Sequence, residues 1–159
     1  FAKEMSSLLD LEIVVAQKAS QVLEAQIVCT ATTSSFPVFD PDHIAPGTHI
    51  NAVGAYRKDM AEIPAKTVQQ ARIIVDQVEA TLVEAGDIIQ PYEQGLIGRE
   101  DFDTELGEVV LGTKTGRQSS KQITLFKSVG NAAQDLVVAE YAVLAPEKLG
   151  KGKTIVWND

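Results

Sequence analysis

Gln26-Ile27-Val28-Cys29-Thr30-Ala31-Thr32-Thr33-Ser34-Ser35 combines the two signals on which the architecture turns. Gln26 to Ala31 is an apolar, β-branched run of strand length, and it ends abruptly in a turn made of hydroxyls. Upstream, Lys18 to Ala25 reads as a short helix and Leu11-Glu12-Ile13-Val14-Val15-Ala16 as another short strand. Before that, apolar residues at 1, 2, 5, 8 and 9 keep helical spacing from the first position, with no N-cap ahead of them. Downstream the rhythm continues. After Asp40-Pro41-Asp42 and Pro46-Gly47 comes the strand His49-Ile50-Asn51-Ala52-Val53 with a glycine exit at Gly54. Next come a helix over 65–71, the strand Arg72-Ile73-Ile74-Val75-Asp76, and a helix over 78–85 with Gly86 read as its C′ residue.

A looser segment holding Pro91, Gly95 and Gly98 leads to a helix over 102–111, whose apolar face is Leu106, Val109 and Val110 and whose end is Gly112. The polar stretch 113–121 reads as a surface loop, and Gln122 to Lys127 as a strand. Ser128-Val129-Gly130 then opens a long helix over 131–144, which Pro146 and Gly150 end; Thr154 to Trp157 reads as an edge strand or arm. Alternating strands and helices predict an α/β fold with a mainly parallel sheet. In such sheets ligands bind beyond the carboxyl ends of the strands. Three turns rich in small or hydroxyl residues hold that position: 30–35, 54–59 and 128–131.

Composition narrows the function. The 159 residues are one domain's worth of chain, 45% hydrophobic and 23% charged, which excludes a disordered or collagen-like chain, and no apolar run is long enough to span a bilayer. With 14 basic against 22 acidic residues the net charge is −8 and the basic residues are scattered, which argues against nucleic acid as a partner. A lone cysteine, Cys29, has no internal partner and is expected to be a buried strand thiol in a reducing cytoplasm. His43 and His49 have no second ligand at metal-binding spacing, so no metal site is expected.

Several strings occur together in order: Ile27 to Ser34, Gly47-Thr48-His49-Ile50-Asn51-Ala52-Val53-Gly54, Glu105-Leu106-Gly107-Glu108-Val109-Val110 with Gly112, Leu125-Phe126-Lys127-Ser128-Val129-Gly130, and Gln134-Asp135-Leu136. In these the chain resembles the ornithine cyclodeaminase and mu-crystallin family over nearly its whole length. The resemblance implies an NAD- or NADP-binding Rossmann domain, paired with a substrate and dimerisation domain. The phosphate-binding G-x-G-x-x-G that follows strand 1 of a Rossmann sheet does not occur in this sequence. The expected fold is therefore an incomplete Rossmann-type doubly wound parallel sheet lacking its first two strands, with a C-terminal helix and tail. Residues 1–145 would be the C-terminal portion of that domain, and 146–159 a tail packing on the N-terminal domain. On this expectation the chain is the C-terminal half of a longer protein.

Residue by residue, the resemblance implies that Thr30, Thr32 and Thr33 pack along the ribose and nicotinamide side of the cofactor. It further implies that Asn51, Val53 and Gly54 form the turn against the nicotinamide ring, and that Ser128, Val129 and Gly130 reach its carboxamide end. Lys127 is expected to be solvated, and Glu105 and Glu108 to lie on a solvated helix face. Asp135 either faces substrate or answers the helix dipole. Where the cyclodeaminase branch carries an acid two positions after the glycine, this chain has Tyr56, in Ala55-Tyr56-Arg57-Lys58-Asp59, which looks like the reductase and mu-crystallin branch. The expected activity is reduction of a small 2-imino acid or cyclic ketimine by NADH or NADPH, by a homodimer, once the N-terminal half is present. The alternatives are a cyclodeaminase or hydroxyproline dehydratase-type lyase that retains its cofactor, and a non-enzymatic mu-crystallin-like ligand binder. Tyr56 and Asp135 are the catalytic candidates.

Overall fold

The computed structural model describes residues 1–149, 153 and 155, with side chains described as far as residue 145 within the last helix. It divides into two units, Phe1–Val129 and Gly130–Asp159. The first is an α/β unit around a four-stranded sheet, in which β1 (Ile27–Thr30), β2 (His49–Ala52), β3 (Arg72–Val75) and β4 (Thr124–Lys127) all run parallel. The order across the sheet is β1-β2-β4-β3, so the last strand in sequence inserts between the second and third. Ile50, Ala52, Ile73, Val75 and Leu125 are completely buried at its centre, and Val68, Ile88 and Phe102 pack against them. The five strand residues lie in alternate register rows and so share one face of the sheet, the face turned to the core.

The described residues form six α-helices: α1 (Ala2–Leu9), α2 (Ala65–Gln70), α3 (Val78–Glu84), α4 (Gly86–Glu93), α5 (Leu106–Val110) and α6 (Ala132–Leu149). The last of these lies in the second unit, and Thr154, Val156 and Trp157 of the expected tail strand lie outside the described residues. No described helix is long and apolar enough to cross a membrane.

Five expectations need correction. Leu11 to Ala16 forms no strand: Leu11, Val14 and Val15 are exposed, because no neighbouring strand among the described residues supplies the ladder that would satisfy an extended backbone. Lys18 to Ala25 is a 3-10 segment, Ala19–Glu24, rather than an α-helix. Cys29 is exposed instead of buried, since β1 is an edge strand and the face carrying Ile27 and Cys29 is uncovered among the described residues. Gly86 does not end α3; it begins α4, which also takes up Pro91 from the segment read as loose. A Cβ on Gly86 would fall on the carbonyl oxygens of Met60, Arg57 and Lys58, so glycine is needed for close packing there, not for a cap. The helix expected over 102–111 is in fact a 3-10 turn, Arg99–Phe102, followed by α5, and Phe102 supplies the core contact while Val110 stays exposed.

Candidate cofactor site

Thr30, Ala52, Lys127 and Val75 are the last residues of their strands and lie in one register row across the sheet. The ladder runs one residue further, with Val53 N–H donating to Thr30 O (3.0 Å), Ser128 N–H to Ala52 O (3.1 Å) and Asp76 N–H to Lys127 O (3.2 Å). Because β4 sits between β2 and β3, the three turns after β1, β2 and β4 leave the same edge side by side, about 4.8 Å apart per strand. This places Thr32, Thr33, Val53, Ser128 and Val129 at one end of one sheet.

A buried carboxylate that the sequence did not single out joins the first two turns. Glu62 is fully buried, and its Oε2 accepts from Thr30 Oγ1 (2.9 Å) and from Gly54 N–H (2.8 Å), while Oε1 accepts from Thr32 N–H (2.5 Å). Gly54 has to be glycine here. A Cβ would land on Thr32 O, Thr32 N and Glu62 Oε1, and none of the backbone atoms can swing away. Burial pushes the Glu62 carboxyl up, but the hydrogen bonds from Thr32, Thr30 and Gly54 outweigh it and hold the group below its ordinary value of 4.5. A carboxyl lowered by folding adds stability that is complete above its unfolded value and lost as pH falls through the folded one. The thermal midpoint of the native protein is therefore expected to exceed that of Glu62→Gln most at neutral pH. The gap should narrow below pH 4.5, as followed by circular dichroism across an acid series.

Glu62 is itself held by a second acid. Asp87, in the first turn of α4, accepts through Oδ1 from Glu62 N–H (2.7 Å) and Ile63 N–H (3.0 Å), and its Oδ2 lies 3.1 Å from Lys127 Nζ. Both side chains of this ion pair are wholly buried, so Lys127 is not the solvated lysine expected from its position before a polar turn. Neither Asp87 Oδ2 nor Lys127 Nζ has an aligned hydrogen bond among the described residues, which leaves the amine dependent on the charge of Asp87. Neither burial nor pairing of Lys127 could be read from the flanking residues, because Asp87 is forty positions away and its α4 was not foreseen.

The third turn is fixed from the neighbouring strand. Asp76, just past β3, accepts through Oδ2 from Ser128 Oγ (2.9 Å) and Val129 N–H (2.9 Å), and through Oδ1 from Gln77 N–H (2.8 Å). Ser128 and Val129 are half-buried, whereas Val53 is 45% exposed, an apolar surface between two polar turns. Thr32 and Thr33 are exposed; Thr30 is buried at the base of its turn with its hydroxyl committed to Glu62. Asn51 lies one register below the edge, its Oδ1 3.3 Å from His49 Nε2 and its amide donating to Cys29 Sγ at 3.7 Å. Tyr56 is half-exposed on the turn after β2, beside an exposed Arg57–Asp59 pair. Gly130, with a φ of 93°, and Asp135, in the first turn of α6, belong to the second unit. Glu105 accepts from Val78 N–H, and Glu108 accepts from Glu105 N–H and pairs with Lys114 Nζ at 3.3 Å.

The family model for the ornithine cyclodeaminase/mu-crystallin family matches residues 1–144. The chain belongs to that family. Among curated members, a Delta(1)-pyrroline-2-carboxylate reductase of Bacillus cereus is 41% identical over 135 residues, covering 84% of this chain and 41% of the relative. The ketimine reductase mu-crystallin of Mus musculus is 39% identical over 119 residues, 75% of this chain and 35% of that protein. Among solved structures, the Delta(1)-pyrroline-2-carboxylate reductase of Thermococcus litoralis in complex with NADH and L-proline superposes with a TM-score of 0.89 at 39% identity. That match covers 97% of this chain and 48% of the other. The chain thus spans about half the length of the family members it matches.

Proposed function

We propose that the protein carrying this chain is an NAD(P)H-dependent oxidoreductase of the family, reducing the imine carbon of a small 2-imino acid or cyclic ketimine. The observation that carries the reading is the row of three turns at one carboxyl edge, with Val53 exposed between hydroxyl-bearing neighbours. An apolar surface framed by hydroxyls and backbone amides suits the nicotinamide end of a dinucleotide, and Gly54 allows the close approach of the first two turns. No G-x-G-x-x-G is present, so the pyrophosphate is not assigned to these residues. Within the first unit the cofactor residues are Thr30, Thr32, Thr33, Asn51, Val53, Gly54, Ser128 and Val129. Thr30 and Gly54 act by shaping the turns, and the exposed members by contact. When bound, the nicotinamide supplies the hydride. Tyr56, half-exposed after Gly54, is the candidate for handling a proton within the first unit.

In this reading residues 1–145 form the C-terminal part of the dinucleotide-binding domain; most of the tail expected over 146–159 lies outside the described residues. The outer edge of β1, unpaired among the described residues, and the exposed Leu11, Val14 and Val15 support a further set of strands in the whole protein. The protein is a cytoplasmic homodimer acting on a small imino or amino acid. Tyr56, standing where the cyclodeaminase branch resembled above has an acid, disfavours the lyase reading. The test is to mix the full-length gene product with NADH or NADPH and 1-pyrroline-2-carboxylate. Steady loss of reduced-nicotinamide absorbance is the expected result. Binding of the nucleotide without turnover of any imine would replace the reductase with a ligand-binding protein of the mu-crystallin kind.

A further inference from the structure

We infer that Glu62 is the positioning residue of the nicotinamide end of the site, and that its two oxygens set the separation of the first two turns. The inference rests on the cofactor reading above. Glu62 has no solvent-exposed surface and cannot touch a ligand directly. What it does is divide its acceptors: Oε1 serves Thr32 of the first turn, and Oε2 serves Thr30 at the base of that turn and Gly54 of the second. The carboxylate itself is braced through its own backbone, since Asp87 holds the N–H groups of Glu62 and Ile63 and is in turn paired with Lys127, the residue that enters the third turn. The loop after the first turn follows the same segment, with Ala61 N–H on Ser34 O and Val38 N–H on Glu62 O. Three turns that share no sequence contiguity are thereby referred to one buried group.

Glutamine is almost the same shape, yet it cannot make the same set of bonds. With its amide nitrogen in the Oε1 place, two N–H donors face each other at Thr32 and the first turn is released. With the nitrogen in the Oε2 place, the same conflict arises at Gly54 and the second turn is released. Either arrangement leaves one backbone N–H of the first or second turn unpaired, Thr32 N–H or Gly54 N–H, and loosens the surface on which the nicotinamide would rest.

The experiment compares NADH with ADP-ribose, which lacks the nicotinamide, as ligands of the full-length protein by titration calorimetry. Glu62→Gln is expected to weaken NADH by about tenfold, equivalent to 1.4 kcal/mol, and to leave ADP-ribose within about twofold, 0.4 kcal/mol on the same scale. Equal weakening of both ligands would make Glu62 a general stabilising residue and overturn the inference, as would no change in either. If Glu62→Gln is not recovered folded, Glu62→Asp is read by the same pair of ligands, because it keeps the charge and withdraws both oxygens by one methylene. A wild-type protein that binds NADH no more tightly than ADP-ribose would remove the cofactor reading beneath the inference, and that result is distinct from a failure at Glu62 alone.

Discussion

Replacing Asp87 with alanine is expected to lower the unfolding free energy of the full-length protein by about 3–5 kcal/mol, the range found when one partner of a buried ion pair is removed. The variant would strand Lys127 Nζ in a site with no solvent and leave two backbone donors, Glu62 N–H and Ile63 N–H, without acceptors. Urea denaturation reads the loss as a lowered midpoint. The double variant Asp87→Asn with Lys127→Met is expected to recover most of it, because asparagine keeps an oxygen for both N–H groups and methionine fills the place of the amine without its charge. A double variant as unstable as Asp87→Ala would show that the pair contributes through something other than charge compensation.

The second large effect is expected at Gly54. A methyl group there meets the backbone of Thr32 on one side and Glu62 Oε1 on the other, and the backbone has no rotamer to change. Inserting it forces the first two turns apart at a cost of about 1–3 kcal/mol, the usual range for overpacking. If that cost falls on the bound state, Gly54→Ala weakens NADH by about tenfold or more, since each tenfold is 1.4 kcal/mol. Fluorescence titration of NADH checks this. Undiminished binding by a folded Gly54→Ala protein would mean that the cofactor does not need the two turns in their present contact.

Both effects arise in a network that the sequence showed only in pieces. Four of the five strands read from apolar runs are present within a residue or two, because β-branched runs bounded by glycine and hydroxyl turns are local signals. The fifth, 11–16, has the same local signal but finds no partner strand, and a strand is a property of a pair. The positions of the three turns were equally legible, since each follows directly from the end of a strand. Glu62 was not, because its significance lies in donors from residues 30, 32 and 54. Nothing local marks an acid in Met60-Ala61-Glu62-Ile63 as buried, except the company of three apolar neighbours.

Lys127 shows the same limit more sharply. A lysine before Ser128-Val129-Gly130 looks solvated, and only the insertion of β4 between β2 and β3 carries it into the interior, where α4 brings Asp87 within 3.1 Å. The α/β class, the parallel strands, the family and the three turns are legible in the chain alone, because these depend on short-range periodicity and on strings of adjacent residues. The tertiary structure alone decided the strand order that aligns those turns in one row. It also decided the burial of Glu62, Asp87 and Lys127 beneath them. Strand order and the pairing of buried charges are long-range choices, settled by which elements pack together and not by any one stretch of chain.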